Sequence, residues 1–138
     1  MSHVEEKVWG TVQHIFDGPV ATSLLRVSNY GTCCSVHEHK RRDNLFHVVS
    51  GSLLIHIFEW TDAQTIRYAY SRRLLQDQNW TAQPGLLHCF EVVQEAQVVE
   101  IYKTFDGSPA KESDIIRYQE GGRADEILLG FGYRCPHL

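Results

Sequence analysis

The sequence predicts an all-β domain, a closed barrel or sandwich of antiparallel strands. Three features carry that prediction. Short runs rich in valine, isoleucine and aromatic residues recur along the chain, turn-forming residues punctuate them, and one stretch near the end reads as a helix.

VWGTVQHIF (8–16), VATSLLRVS (20–28), LFHVVS (45–50), SLLIHIFEW (52–60), TIRYAYSRR (65–73), LLHCFEVV (86–93) and QVVEIYKTF (97–105) have the length and β-branched content of strands. Asn29-Tyr30-Gly31, Ser50-Gly51 and Gln83-Pro84-Gly85 separate them as turns, which suits an antiparallel meander. In SLLIHIFEW, Leu54, His56 and Phe58 share one face while Leu53, Ile55 and Ile57 share the other. A strand apolar on both faces is covered on both. The outer surface is therefore expected to meet a second sheet or a second subunit, and a homodimer is predicted. SDIIRYQEGG (113–122) predicts a short helical segment near the C-terminus, capped by Ser113 or Asp114 and stopped by Gly121-Gly122.

With 138 residues the chain is read as a single domain, 1–138, too short for two ordinary cores. Its 43% hydrophobic and 22% charged content is that of a globular protein. A net charge of -4 and a pI near 6.0 give no electrostatic reason to expect nucleic acid or an anionic membrane as partner. No run approaches the roughly 20 apolar residues of a membrane-spanning helix. The start, MSHVEEKVWG, is too acidic and too poor in apolar residues for a secretory signal, and the four cysteines (Cys33, Cys34, Cys89, Cys135) contain no C-x-x-C pair. The expected location is the reducing cytoplasm, with the cysteines as packed thiols.

HEHKRRDN (37–44) raises the chemical question. On a strand, residues i and i+2 project to one face, so His37 and His39 can reach the same ion. A lone H-x-H pair is more often a pair of surface or interface histidines, so a third donor is needed. His88 supplies it, opening a strand just after the Pro84-Gly85 turn, where a hairpin end can face the first pair. Asn44 adds a neutral carbonyl oxygen, and Phe46, on the same face as Asn44, is expected to line the pocket. The predicted cofactor is one divalent metal ion, zinc, manganese, iron or nickel. No G-x-x-x-x-G-K-[ST] loop is present to support nucleotide hydrolysis.

Gly31, five residues, His37-x-His39, four residues, Asn44, six residues, Gly51 has the spacing of the first cupin motif, and Gly85-x-x-His88 matches the core of the second. The chain thus resembles the cupin superfamily. The resemblance implies a double-stranded β-helix (jelly-roll) barrel with a metal held by histidines of both motifs. Three positions depart from the pattern: Asn44 stands where cupins usually have glutamate, Gln83 where they have proline, and Val92 where they have asparagine.

Over residues 8–124 the chain is similar to the cupin domain of bifunctional phosphomannose isomerase/mannose-1-phosphate guanylyltransferases. Trp9-Gly10, LLRVSNYG, Arg42 two before Asn44, VVSGSLLI, Asp114-Ile115-Ile116-Arg117 and Gly121-Gly122-Arg123 carry this likeness. It implies an isomerase-like activity on a small sugar or sugar-phosphate ligand. Such a reaction moves a proton between neighbouring carbons through an enediol, with a dication polarising the oxygens and a positioned base carrying the proton. Arg42, Arg117 and Arg123 are expected to grip the phosphate, since guanidinium forks match it, while Lys40 is expected to be a solvated charge. The base is not identifiable, because Glu38 should point away from the ligand face.

Two other functions fit the same residues. Three neutral histidines without a carboxylate also describe an oxygen-activating non-haem iron site, and a cupin that binds a small molecule without turning it over needs no base at all. His14 and His56, in apolar strands, are expected to be structural, and Trp60, Trp80 and Phe90 to be core or rim aromatics.

Overall fold

The computed structural model describes residues 3–111 and 114–136. The chain opens as an antiparallel meander of β1 (His3–Lys7), β2 (Gly10–Phe16) and β3 (Val20–Val27). The single run expected over 8–16 is cut at Gly10, whose φ of 153° lets the chain reverse. A Cβ there would stand 1.9 Å from the Arg26 carbonyl oxygen, so glycine alone fits. The segment ahead of the turn, HVEEK, forms β1 although its composition is polar. It is an edge strand held by backbone pairing to β2.

Two short strands follow, β4 (Thr32–Cys33) and β5 (Val36–His39), then the long β6 (Arg42–Ser50), β7 (Leu53–Trp60) and β8 (Ile66–Leu74). After these come β9 (Asn79–Ala82), β10 (Leu87–Glu91), β11 (Ala96–Thr104), β12 (Ile115–Gln119), β13 (Gly122–Arg123) and one helix, α1 (Ala124–Leu129). One sheet has the order β1-β2-β3-β11-β6-β9. The other runs β12-β5-β10-β4-β13, with β7 also paired to β10 and β8 beyond it. The pairings are antiparallel throughout, and the two sheets face each other across a core that includes Leu25, Phe46, Val48, Ile55, Phe90 and Val98. This is the architecture of a jelly-roll barrel.

Two expectations change. SDIIRYQEGG does not open a helix. Ile115–Gln119 forms β12, which completes the free edge of β5 with Ile115 opposite His39 and Arg117 opposite His37. Its Ile-Ile pair suits a pleated strand, and the helix starts only after the two glycines, as α1. Ser113 lies outside the described residues, and Asp114 caps nothing there; its carboxylate turns to the site instead.

The second change concerns the two-faced burial of β7, which is satisfied within one chain. His56 and Phe58 sit beneath the C-terminal segment, where Tyr133 packs on His56 (ring centroids 4.6 Å) and Phe131 on Phe58 (5.1 Å). Ala124, Leu128 and Cys135 are buried in the same layer. That pattern therefore gives no reason for a second subunit.

Candidate metal centre and ligand cavity

β5 and β10 pair so that His37 and His88 are direct cross-strand partners. His39, two residues along β5, falls on the same inward face. The three imidazoles offer ligand atoms that all lie within 4.8 Å of one another, in a fully buried cluster. Ring centroids are 4.5 Å apart for His37 and His88, 4.9 Å for His37 and His39, and 5.7 Å for His39 and His88.

Hydrogen bonds on the far side of the rings set the tautomers of two of them. His37 Nδ1–H donates to the Ser35 carbonyl (2.7 Å), and His88 Nδ1–H to the Leu86 carbonyl (2.8 Å). A carbonyl only accepts, so both Nε2 atoms keep their lone pairs for the cluster centre. Burial holds all three imidazoles below their usual range, His88 at about 4, with charge on neighbouring rings adding to the effect on His37 and His39. Neutral rings are what a metal requires.

His39 is arranged differently. Its Nδ1 accepts from Arg42 Nε at 3.1 Å, and Asp114 Oδ1 stands 3.6 Å from the same atom. Asp114 Oδ1 is buried without a hydrogen-bond partner among the described residues, although it forms an ion pair with Arg42 Nε at 3.2 Å. A metal on Nε2 places the ring proton on Nδ1, and this orphaned oxygen is where the proton can donate. A carboxylate behind a ligating histidine is the usual supporting arrangement. The residues present thus fit a divalent ion bound by three nitrogens.

The other sequence-predicted residues fall in different places. Asn44 is buried beside the cluster, with its amide nitrogen 3.3 Å from His39 Nε2 and 3.5 Å from His88 Nε2. Its Oδ1 is left without a partner, so in this orientation it is a neighbour of the cluster and not a donor to its centre. Phe46 and Arg117 line a cavity of about 460 Å³ that His37 also faces. Arg42 lies behind the cluster: its guanidinium pairs with Asp114, donates to the Ala110 carbonyl and covers the Tyr102 ring at 3.8 Å, so it supports His39 instead of reaching into this cavity. Arg123 is outside the cavity altogether, tied to Asp125 at 2.9 Å on the helix that follows. Lys40 is exposed and pairs with Glu38, which points away from the cluster toward Tyr118.

The cavity has an apolar wall of Trp9, Val12, Leu25, Phe46 and Phe90, and a polar wall that holds the residue sequence reasoning missed, Glu100. β11 places Glu100 opposite Phe46 and Tyr102 opposite Asn44. Burial pushes the Glu100 carboxyl up to about 7, against hydrogen bonds from Tyr102 and Asn44 and the charge of Arg42. The signal was present in QVVEIYKTF. Glu100 shares the alternation of Ala96 and Val98, both buried, so a charge stands on an inward face.

No protein-family model matches the chain, and no curated protein matches it by sequence. Among solved structures it is similar to oxalate decarboxylase from Bacillus subtilis, at 15% identity and a TM-score of 0.64 over 91% of this chain and 31% of that one. CapF, solved with the inhibitor 3-isopropenyl-tropolone, gives 16% identity and a TM-score of 0.64 over 86% of this chain and 34% of that one. KdgF from Halomonas sp. gives 14% and 0.59 over 74% of this chain and 87% of that one. The chain spans about a third of the first two proteins and most of the third. At such identities the likeness concerns the fold alone. The chain has the cupin fold, a double-stranded β-helix, and inside it His37, His39 and His88 form a potential metal site.

Proposed function

We propose that the protein is a metal-dependent isomerase of small sugar phosphates, related in chemistry to mannose-6-phosphate isomerase. The observation that carries this reading is a juxtaposition. A cavity of about 460 Å³ is lined both by His37, one of the three clustered imidazoles, and by the buried carboxyl of Glu100. When bound at the imidazoles, a divalent ion supplies Lewis-acid polarisation of a substrate oxygen. Glu100 then takes a proton from one carbon and returns it to the next, the role for which no base was evident in the sequence. Tyr102 and Asn44, hydrogen-bonded to that carboxyl, orient it. Arg117, which lines the cavity and has no ion-pair partner among the described residues, grips the phosphate.

The test is mannose 6-phosphate with zinc- or manganese-loaded protein. Turnover that Glu100→Gln abolishes, with ligand-induced stabilisation retained in the variant, supports the assignment. Neither turnover nor a raised melting temperature removes it. A rise in melting temperature without turnover identifies a small-molecule-binding cupin. A second reading has its own observation. The cluster contains only neutral nitrogens and the opposite wall is apolar and aromatic, which suits a three-histidine iron dioxygenase acting on a less polar substrate. Oxygen uptake by iron-loaded protein with a substrate panel distinguishes it.

A further inference from the structure

A second group of metal-ligating side chains lies on the opposite sheet. His3 and His14 are direct cross-strand partners of β1 and β2, their rings stacked 5.8 Å apart and 7° from parallel. Glu5, two residues from His3 on the same face, sends Oε1 toward both: His14 Nε2 is 3.0 Å from it and His3 Nε2 is 3.7 Å. Lys7 pairs with the other oxygen, Oε2, at 3.2 Å, which leaves Oε1 to the histidines. Behind His14, the buried Ser23 hydroxyl is 3.2 Å from Nδ1. The Glu5 carboxylate only accepts, so His14 Nε2–H donates to it and the Ser23 hydroxyl donates to Nδ1; the bond holds the ring with Nε2 toward Glu5, and a metal there takes the place of that proton.

We propose that His3, Glu5 and His14 form a second binding site for a borderline divalent transition-metal ion, independent of the cluster inside the barrel. Directly opposed residues of antiparallel strands have Cβ atoms about 4.5–5.5 Å apart, close enough for two imidazoles to share one ion. Two nitrogens and one carboxylate oxygen suit zinc, nickel or copper. The remaining movement falls on His3, whose side chain is 72% exposed and free to rotate toward His14, while His14 and Glu5 already meet. The three side chains border a cavity of about 420 Å³ whose other walls carry Arg42 and Lys111. Arg42 is ion-paired with Asp114 at 3.2 Å, and Lys111 faces Asp17 at 4.0 Å. The site leaves room for water or an anionic ligand to complete the coordination.

The experiment is calorimetric titration of the chelator-stripped full chain with Zn²⁺ alone, in the wild type, His3→Ala, His14→Gln, Glu5→Gln and His88→Ala. The expected wild-type result is two classes of site. His3→Ala and His14→Gln each remove one class and keep the other, Glu5→Gln weakens that same class about tenfold, and His88→Ala removes the remaining class. His3→Ala touches nothing in the core, so its fold is retained. If His3→Ala titrates as the wild type does, the second site does not exist. A single wild-type class that His88→Ala abolishes and His3→Ala spares overturns the second site equally. A single class lost in His3→Ala and kept in His88→Ala upholds the second site and overturns the barrel centre instead.

Discussion

His39 Nδ1 lies 3.6 Å from the orphaned Oδ1 of Asp114, with Arg42 Nε bonded to that nitrogen at 3.1 Å. Arg42 and a ring proton compete for one position. Without metal, Nδ1 accepts from arginine; with metal on Nε2, Nδ1 donates to aspartate. Asp114→Asn should weaken metal affinity about 10- to 100-fold while leaving the three imidazoles in place. Competition against a chromogenic chelator measures it, and wild-type affinity in the variant would remove Asp114 from the site.

The pH dependence of the chelator-treated protein has a definite sign. Folded His88 titrates at about 4 and the unfolded ring at 6.5, so between those values the unfolded chain binds the extra proton and stability rises with pH. His37 and His39, also held low by burial, act in the same direction. Glu100 opposes them: its folded value of about 7 exceeds 4.5, so its contribution falls between those limits. Three imidazoles outweigh one carboxyl. Urea midpoints should climb from pH 4.5 to 6.5 and stop climbing above it; a flat profile would show that the rings are not buried as neutral groups.

Above pH 7 the buried Glu100 carboxylate is a liability. Its charged form costs the folded state stability, a cost that is fully present above about 7 and absent below 4.5. Glu100→Gln should therefore be more stable than the wild type at pH 8, by about 1–3 kcal/mol, and no more stable at pH 4.5. Denaturant unfolding at the two pH values checks this apart from any activity. Equal differences at both would mean that the carboxyl is not strained by burial.

What the sequence revealed follows how local each determinant is. His37-x-His39 and Gly85-x-x-His88 were legible because strand alternation and one turn suffice to aim them. Glu100 was obscured by its strand's other, half-buried face, where a charge is ordinary. The placement of Arg42 and Asp114 was not legible, since they meet only in the folded chain, with β7 through β11 between them in sequence: a residue read as a phosphate grip and one read as a helix cap pair beside His39. The C-terminal cover over His56 and Phe58 likewise depends on tertiary contact, so two-faced burial looked like a subunit interface. β1 carries no apolar alternation and is specified by Gly10 and its neighbour strand.

Gly10 and Gly85 both have positive φ, yet replacing them should differ sharply. At Gly10 an added Cβ meets the Arg26 carbonyl oxygen at 1.9 Å, whereas at Gly85 nothing lies within 4 Å. Gly85→Ala carries only the conformational penalty, about 1 kcal/mol, and Gly10→Ala adds a backbone collision that must separate β2 from β3, about 4 kcal/mol or more. Thermal unfolding of the two variants ranks them, and similar losses would place the β1–β2 turn elsewhere.

The His56–Glu91 pair, 2.8 Å apart and wholly buried under the C-terminal segment, should behave as a unit. Removing His56 alone takes away the imidazole that meets Glu91 Oε1, an oxygen that Cys135 Sγ approaches only at 3.9 Å; His56→Leu should cost about 1–3 kcal/mol. Replacing both, His56→Leu with Glu91→Leu, removes both halves of the buried polar pair and adds apolar surface to a layer that already holds Phe58, Leu87 and Leu128, so it should cost less than the sum of the two single replacements. A double-mutant cycle on urea unfolding measures the difference. Additive losses would mean that the two side chains do not depend on each other, and that the cover over this sheet rests on its aromatic contacts alone.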